Sequence, residues 1–170
     1  QKYVKLYQKE DRSSVFTDEK LHPTGRHYGA QPQPKAAYAA MVTQMDDYIG
    51  RILHQLKTQG LENNTIVIFT SDNGTHAEGG RTRKDAFETF QSSGPLKGIK
   101  RDLYEGGIRI PFIVKWPAKV KAAATSNMAA AFWDVLPTLA AAAGLQQMKS
   151  NGISFLPTLL QQPQKMQHKY

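Results

Sequence analysis

The chain has 170 residues, 40% of them hydrophobic and 21% charged, a length and balance that suit one core-bearing domain and argue against wholesale disorder. Its 22 Lys and Arg against 14 Asp and Glu leave a formal charge of +8, which favours anionic partners such as sulfate or phosphate esters and acidic polysaccharide. There is no cysteine, which excludes disulfides and thiolate chemistry among these residues, and no apolar run approaches the roughly 18 residues of a membrane span.

The basic residues cluster at Arg81, Arg83 and Lys84, at Lys97, Lys100 and Arg101, and at Lys115, Lys119 and Lys121. No interleaving of basic and aromatic residues accompanies them, so nucleic acid is not an expected partner, and neither is a membrane. Gln1 is not an initiator methionine, and the chain is expected to be an excerpt or a processed product.

Residues 1–35 lack a sustained period and carry prolines at 23, 32 and 34; they read as an irregular surface excursion with one short helix near Val4 to Lys9. His22 and His27 lie here without partners at useful spacing and read as surface histidines. Ala36 to Gln59 is the clearest helix, with Tyr38, Met41, Val42, Met45, Ile49, Ile52, Leu53 and Leu56 forming one apolar stripe between Pro34 and Gly60. Asp46 and Asp47 read as a solvated face, or Asp47 as a partner for Arg51 one turn on.

Residues 65–71 are apolar and β-branched, bounded by Asn63-Asn64 before and Asp72-Asn73-Gly74 after, the pattern of a buried parallel strand. Residues 74–95 are polar and Gly-rich, longer than an ordinary connection and so a functional-loop candidate. Ile108 to Trp116 supplies a second strand candidate, with Pro111 marking an edge, an end or a bulge. Phe132 to Ala143 reads as a helix with Asp134 as its N-cap and Gly144 as its stop. A short apolar segment from Ile153 to Leu160 follows, and residues 161–170 form a polar, frayed tail.

The chemistry gathers between Asp72 and Arg109. An Asp carboxylate beside an Asn amide oxygen at a strand's C-terminal end offers two hard donors suited to Ca²⁺ or Mg²⁺. Downstream, GPLKGIKRDLYEGGIR frames lysines and an arginine with glycines at 94, 98, 106 and 107. Glycines allow close backbone approach, and a lysine ammonium can hold a tetrahedral oxyanion and neutralise a leaving oxygen.

These stretches, FTSDNGTHAEGG, GPLKGIKRDLYEGGIRIPFIVKWP, FWDVLPTLAAAAG and NGISFLPTLL in that order, closely resemble the sulfatase family of the alkaline-phosphatase-like superfamily. The likeness runs from about Ala36 to Leu160. It implies an α/β fold, part of an alkaline-phosphatase-like sandwich with a mostly parallel sheet flanked by helices. On this reading residues 1–170 are a single partial domain, the C-terminal portion of a catalytic domain, with 1–35 as excursion, 36–160 as α/β core and 161–170 as tail.

The resemblance further implies hydrolysis of sulfate monoesters by a formylglycine and calcium mechanism. Carried over by position, Asp72 and Asn73 are the expected metal ligands, for Ca²⁺ rather than Mg²⁺. Lys100 is the expected sulfate-binding residue that assists the leaving oxygen. His76 is the histidine placed to touch sulfate or substrate, or to orient the loop, and Lys97 shapes the loop. No Cys/Ser-x-Pro-x-Arg stretch is present: Ser93-Gly94-Pro95-Leu96-Lys97 ends in lysine. The formylglycine nucleophile and the other calcium ligands are therefore expected on upstream chain, and these 170 residues alone are expected to be inactive.

The implied substrate is a sulfated small molecule or a sulfated glycan, the implied partner is the remainder of a sulfatase chain, and the implied location is periplasmic or extracellular. Two other readings stand beside this one: a phosphate or phosphonate ester hydrolase of the same superfamily, and a non-catalytic module for acidic glycans.

Overall fold

The computed structural model describes residues 2–23, 29–145 and 149–168; the reading of His27 lies outside them. In chain order the regular elements are helix α1 (Pro34–Thr58), strand β1 (Val67–Thr70), the single helical turn α2 (Glu105–Ile108), strand β2 (Phe112–Lys115), helix α3 (Val135–Ala142) and the turn α4 (Leu156–Leu159). Short 3₁₀ turns at Val4–Tyr7, Glu62–Asn64 and Phe132–Asp134 and a π turn at Asp85–Thr89 complete the set. β1 and β2 pair as a two-stranded sheet. Among the described residues these strands are all of the sheet, so the larger, mostly parallel sheet expected above is not seen here.

The strand core of the 65–71 run is Val67–Thr70, and each of its residues is half-buried rather than buried. β2 is likewise shorter than its candidate: Ile108 belongs to α2, and the strand begins just after Pro111. Proline has no N–H for a ladder, so a strand that starts beyond it loses no bond.

The chain divides into two compact units, Gln1–Gln59 with Phe69–Ile113 and Gly60–Ile68 with Val114–Tyr170. In the first, α1 starts on Pro34 itself, whose missing N–H costs nothing in the first turn. The helix buries Ala36, Ala37, Ala39 and Ala40, whereas Met41, Val42, Met45 and Ile52 of the expected stripe are exposed. Alanines let the first turns pack closely, while the middle turns meet the N-terminal segment through polar bonds, Tyr7 to Thr43 and Tyr3 to Asp47.

The start of α1 is capped from far away. Glu19 accepts the N–H groups of Lys35 and Ala36, both at 3.0 Å, and the Ser14 hydroxyl at 2.8 Å. A carboxylate there satisfies otherwise orphaned donors and complements the helix dipole. Described residues of the N-terminal excursion are thus tied to the helix: Lys35 is buried, pairs with Asp85 at 3.1 Å and donates to the Thr17 carbonyl. Asp47 accepts the Tyr3 hydroxyl at 2.6 Å instead of pairing with Arg51.

In the second unit the buried residues are mixed, Ala140 and Phe155 beside the polar Asp134 and Thr138. Asp134 is fully buried, and its carboxylate does not cap α3 as expected; it accepts the N–H groups of Ala131 at 2.8 Å and Ile153 at 2.7 Å. Thr138 donates to the Asp134 carbonyl and receives the Phe155 N–H. Phe132, Leu136 and Leu139 of the expected apolar face are exposed. The tail is pinned as far as it is described, since His168 Nε2 lies 2.7 Å from Asp134 Oδ1 and Gln164 bonds the Ser154 carbonyl.

Candidate active site

Asp72, Asn73 and Gly74 form the turn that leaves β1, where the run of β-branched residues stops and a glycine lets the backbone swing away. Asp72 is exposed, Asn73 half-buried. No hydrogen bond or ion pair engages either side chain among the described residues, so both oxygens are available to a hard cation. No cluster of three or more His, Cys, Asp or Glu side chains suited to a metal occurs among the described residues, whereas Ca²⁺ takes six to eight oxygens.

The loop carrying Lys100 docks directly onto this turn. Gly74 N–H donates to the Gly107 carbonyl at 2.9 Å, Lys100 N–H to the Thr75 carbonyl at 2.7 Å, and Gly106 N–H to the Lys97 carbonyl at 2.7 Å. The approach leaves no room for side chains. A Cβ on Gly74 would stand 1.9 Å from the Gly106 oxygen, and one on Gly106 would stand 2.3 Å from the Gly98 oxygen. The glycines therefore serve backbone contact between the two motifs, which fixes where Lys100 emerges relative to Asn73.

The lysine loop is also tied within itself. Ile99 and Asp102 close a turn through Asp102 N–H and the Ile99 carbonyl at 2.8 Å, with Arg101 in the left-handed region at φ +78°. The Asp102 carboxylate accepts the Ile99 N–H at 2.9 Å and pairs with Arg83. The Arg83 side chain and that N–H together hold its carboxyl below the usual carboxylate range. Ser93 of the formylglycine look-alike donates to the Gly98 carbonyl at 3.2 Å, and Lys97 lays its ammonium 4.0 Å from the centre of the Tyr104 ring. Both shape the loop.

Glu78 also belongs to the site. Only 13% of its side chain is exposed; one carboxylate oxygen pairs with Arg101, while the other lies 3.8 Å from Lys100 Nζ and 3.9 Å from His76 Nδ1. It gathers the charges of the site around one carboxylate. Only its neighbourhood in sequence, two residues past His76, hinted at this.

His76 Nδ1 receives the Glu78 N–H at 3.2 Å, and Arg81 Nη2 lies 3.4 Å from each ring nitrogen. Burial, and then the Arg81 guanidinium, push its pKa below the ordinary histidine value against the pull of Glu78, so the ring is neutral at pH 7. Asp72 and Lys100 also act on it electrostatically, with opposite signs. His76 is therefore a neutral ring within the field of Asp72 and Lys100.

A model of the family described as "Sulfatase" matches residues 1–145. This chain belongs to the sulfatase family. Among its relatives, the steryl-sulfatase of Rattus norvegicus is 35% identical over 142 residues, 79% of this chain and 23% of that protein. Human N-acetylgalactosamine-6-sulfatase is 36% identical over 130 residues, 75% of this chain and 24% of that protein. The N-acetylgalactosamine-6-O-sulfatase of Bacteroides thetaiotaomicron reaches 46% over 84 residues, 48% of this chain and 16% of that sulfatase. Among solved structures, Ps i-CgsB in complex with k-i-k-neocarrahexaose superposes with a TM-score of 0.64 at 28% identity, over 77% of this chain and 28% of that one. This sulfatase chain spans about a quarter of the length of the curated relatives it matches. None of its described helices is long and apolar enough to cross a membrane.

Proposed function

We propose that this chain supplies half of the metal site and the sulfate-binding lysine of a sulfuric ester hydrolase acting on sulfate monoesters. The observation that carries the reading is the glycine-mediated docking of the Asp72-Asn73 turn onto the Lys100 loop, in a chain of the sulfatase family. Asp72 and Asn73 fit a calcium ion because their two hard oxygens lack protein partners; bound there, Ca²⁺ would polarise the sulfate. Lys100 places a cation beside the ester, where it binds a sulfate oxygen and offsets charge on the leaving oxygen. His76, held neutral, lies where a ring nitrogen can hydrogen-bond the substrate. Glu78 holds Lys100 and Arg101 in position until an anion competes for them.

The nucleophile, a formylglycine, and the remaining calcium ligands would come from chain beyond these residues, and the two strands would extend a mostly parallel, helix-flanked sheet there. On this reading residues 1–170 are one part of a single catalytic domain. A sulfated glycan is the favoured substrate, ahead of a sulfated small molecule. The +8 charge suits a polyanion, and relatives include N-acetylgalactosamine-6-sulfatase and a protein solved with its substrate D-glucosamine-2-N,6-O-disulfate. A periplasmic or extracellular location follows from the same reading.

The test is calcium-dependent turnover of an aryl sulfate by the intact protein as expressed from its gene, set against the isolated 170 residues. Turnover by the intact protein alone is expected. Turnover by the isolated chain would overturn the assignment of the nucleophile to other chain, and turnover of an aryl phosphate in preference to the sulfate would overturn the reaction class.

A further inference from the structure

Beside the Lys100 site lies a concavity of about 430 Å³ that no step above uses, lined by His22, Pro23, Glu78, Gly79, Gly80 and Arg81 among others. Arg81 is 5% exposed. Its guanidinium carbon sits 3.5 Å from the centre of the Tyr38 ring, and its Nη2 donates to the His76 carbonyl at 2.8 Å. The Asp85 and Glu78 carboxylates act on it electrostatically, and among the described residues its Nη1 is buried without a hydrogen-bond partner. A buried cation with an unused N–H is costly unless an acceptor arrives to meet it.

A second unused nitrogen belongs to the same wall. Among the described residues His22 Nε2 is buried without a hydrogen-bond partner, while the His22 backbone is fixed by two hydrogen bonds with Gln31, at 2.8 and 3.0 Å. Gly80, at φ +89°, is what lets the ring sit there: a Cβ on it would come 2.6 Å from His22 Cβ and 2.8 Å from Pro34. The carboxylate in this wall, Glu78, is committed to Arg101 and lies near Lys100, so its charge is offset rather than turned on an incoming anion.

We propose that Arg81 and His22 form a second oxyanion subsite, which takes a further acidic group, a sulfate ester or a carboxylate, of the same glycan whose scissile sulfate meets Lys100. This rests on the sulfatase reading. Glu78 joins the two places, since it borders the concavity and lies 3.8 Å from Lys100 Nζ. The volume exceeds that of a lone anion and is of the size that admits part of a sugar. An unused guanidinium N–H suits an oxygen of either acid through a charge-assisted hydrogen bond.

The experiment compares the intact protein with its Arg81→Gln, Arg81→Lys and His22→Ala variants on three substrates: an aryl sulfate, a disulfated disaccharide and a monosulfated disaccharide carrying a uronic acid. Arg81→Gln is expected to lower kcat/KM for one or both disaccharides about 10- to 100-fold more than for the aryl sulfate, through KM; which disaccharide suffers tells sulfate from carboxylate. His22→Ala leaves the Arg81–Tyr38 stack in place and is expected to act in the same direction, more weakly. Proportional losses on all three substrates would mean that Arg81 only supports the fold, and would overturn the subsite. Calorimetric titration with glucuronate and with inorganic sulfate separates this inference from the sulfatase reading. Binding present in the wild type and lost in Arg81→Gln upholds the subsite even if no ester turns over, and binding that is absent or unchanged overturns it.

Discussion

The backbone N–H of Lys100 donates to the Thr75 carbonyl at 2.7 Å, so the lysine is fastened by its main chain, two residues from Asn73, while its ammonium approaches Glu78 only to 3.8 Å. Position is thereby separated from chemistry. Lys100→Ala is expected to retain the fold, because the fastening bond does not use the side chain. Its kcat toward an aryl sulfate should fall about 10²- to 10³-fold, the scale of removing one charge-stabilising donor. Steady-state kinetics beside a melting curve checks both halves.

The glycines of the docked loops carry stability of a different kind. Gly74→Ala and Gly106→Ala would drive a methyl into backbone oxygens at 1.9 and 2.3 Å, and each is expected to cost more than about 3 kcal/mol, read by urea denaturation. Gly50, in the middle of α1 with nothing within 4 Å of an added Cβ, makes the contrast. Gly50→Ala is expected to stabilise by about 0.5–1 kcal/mol, since only helix propensity is at stake.

Removal of the metal should act on turnover rather than on the described fold. A calcium chelator is expected to abolish aryl sulfate hydrolysis by the intact protein and added Ca²⁺ to restore it. Asp72 is exposed and makes no hydrogen bond among the described residues. Asp72→Ala should therefore weaken calcium binding by calorimetry while changing metal-free stability by less than about 0.5 kcal/mol.

Asp134 sets an acid limit on the second unit. Burial raises its pKa, but the N–H groups of Ile153 and Ala131 and the His168 ring outweigh that and bring it below the ordinary aspartate value. An unfolded aspartate titrates near about 3.9. The stabilisation is therefore fully present above that pH and is lost as pH falls through the lower folded value. Thermal melts of the wild type should decline through that window, and those of Asp134→Asn should decline less. Asp134→Ala, which strands two buried N–H groups, is expected to cost about 2–4 kcal/mol at neutral pH.

The sequence by itself determined what local rules govern. Periodicity located α1 and α3, the β-branched run located β1, and the Asp-Asn-Gly, lysine and glycine motifs were legible as candidate chemistry because turn geometry and ligand type are properties of neighbouring residues. The tertiary structure alone decided which distant groups meet. Glu19 caps α1 from 17 residues before Ala36, Glu78 collects Arg101 from 23 residues on, and His168 closes on Asp134 across 34 positions. It also decided burial: the stripe of α1 is continuous in sequence, yet Met41 and Ile52 stay exposed, because burial depends on what packs against a face and not on the face itself. Such pairings arise only when a packed backbone brings remote segments together, and nothing in the spacing of residues encodes that meeting.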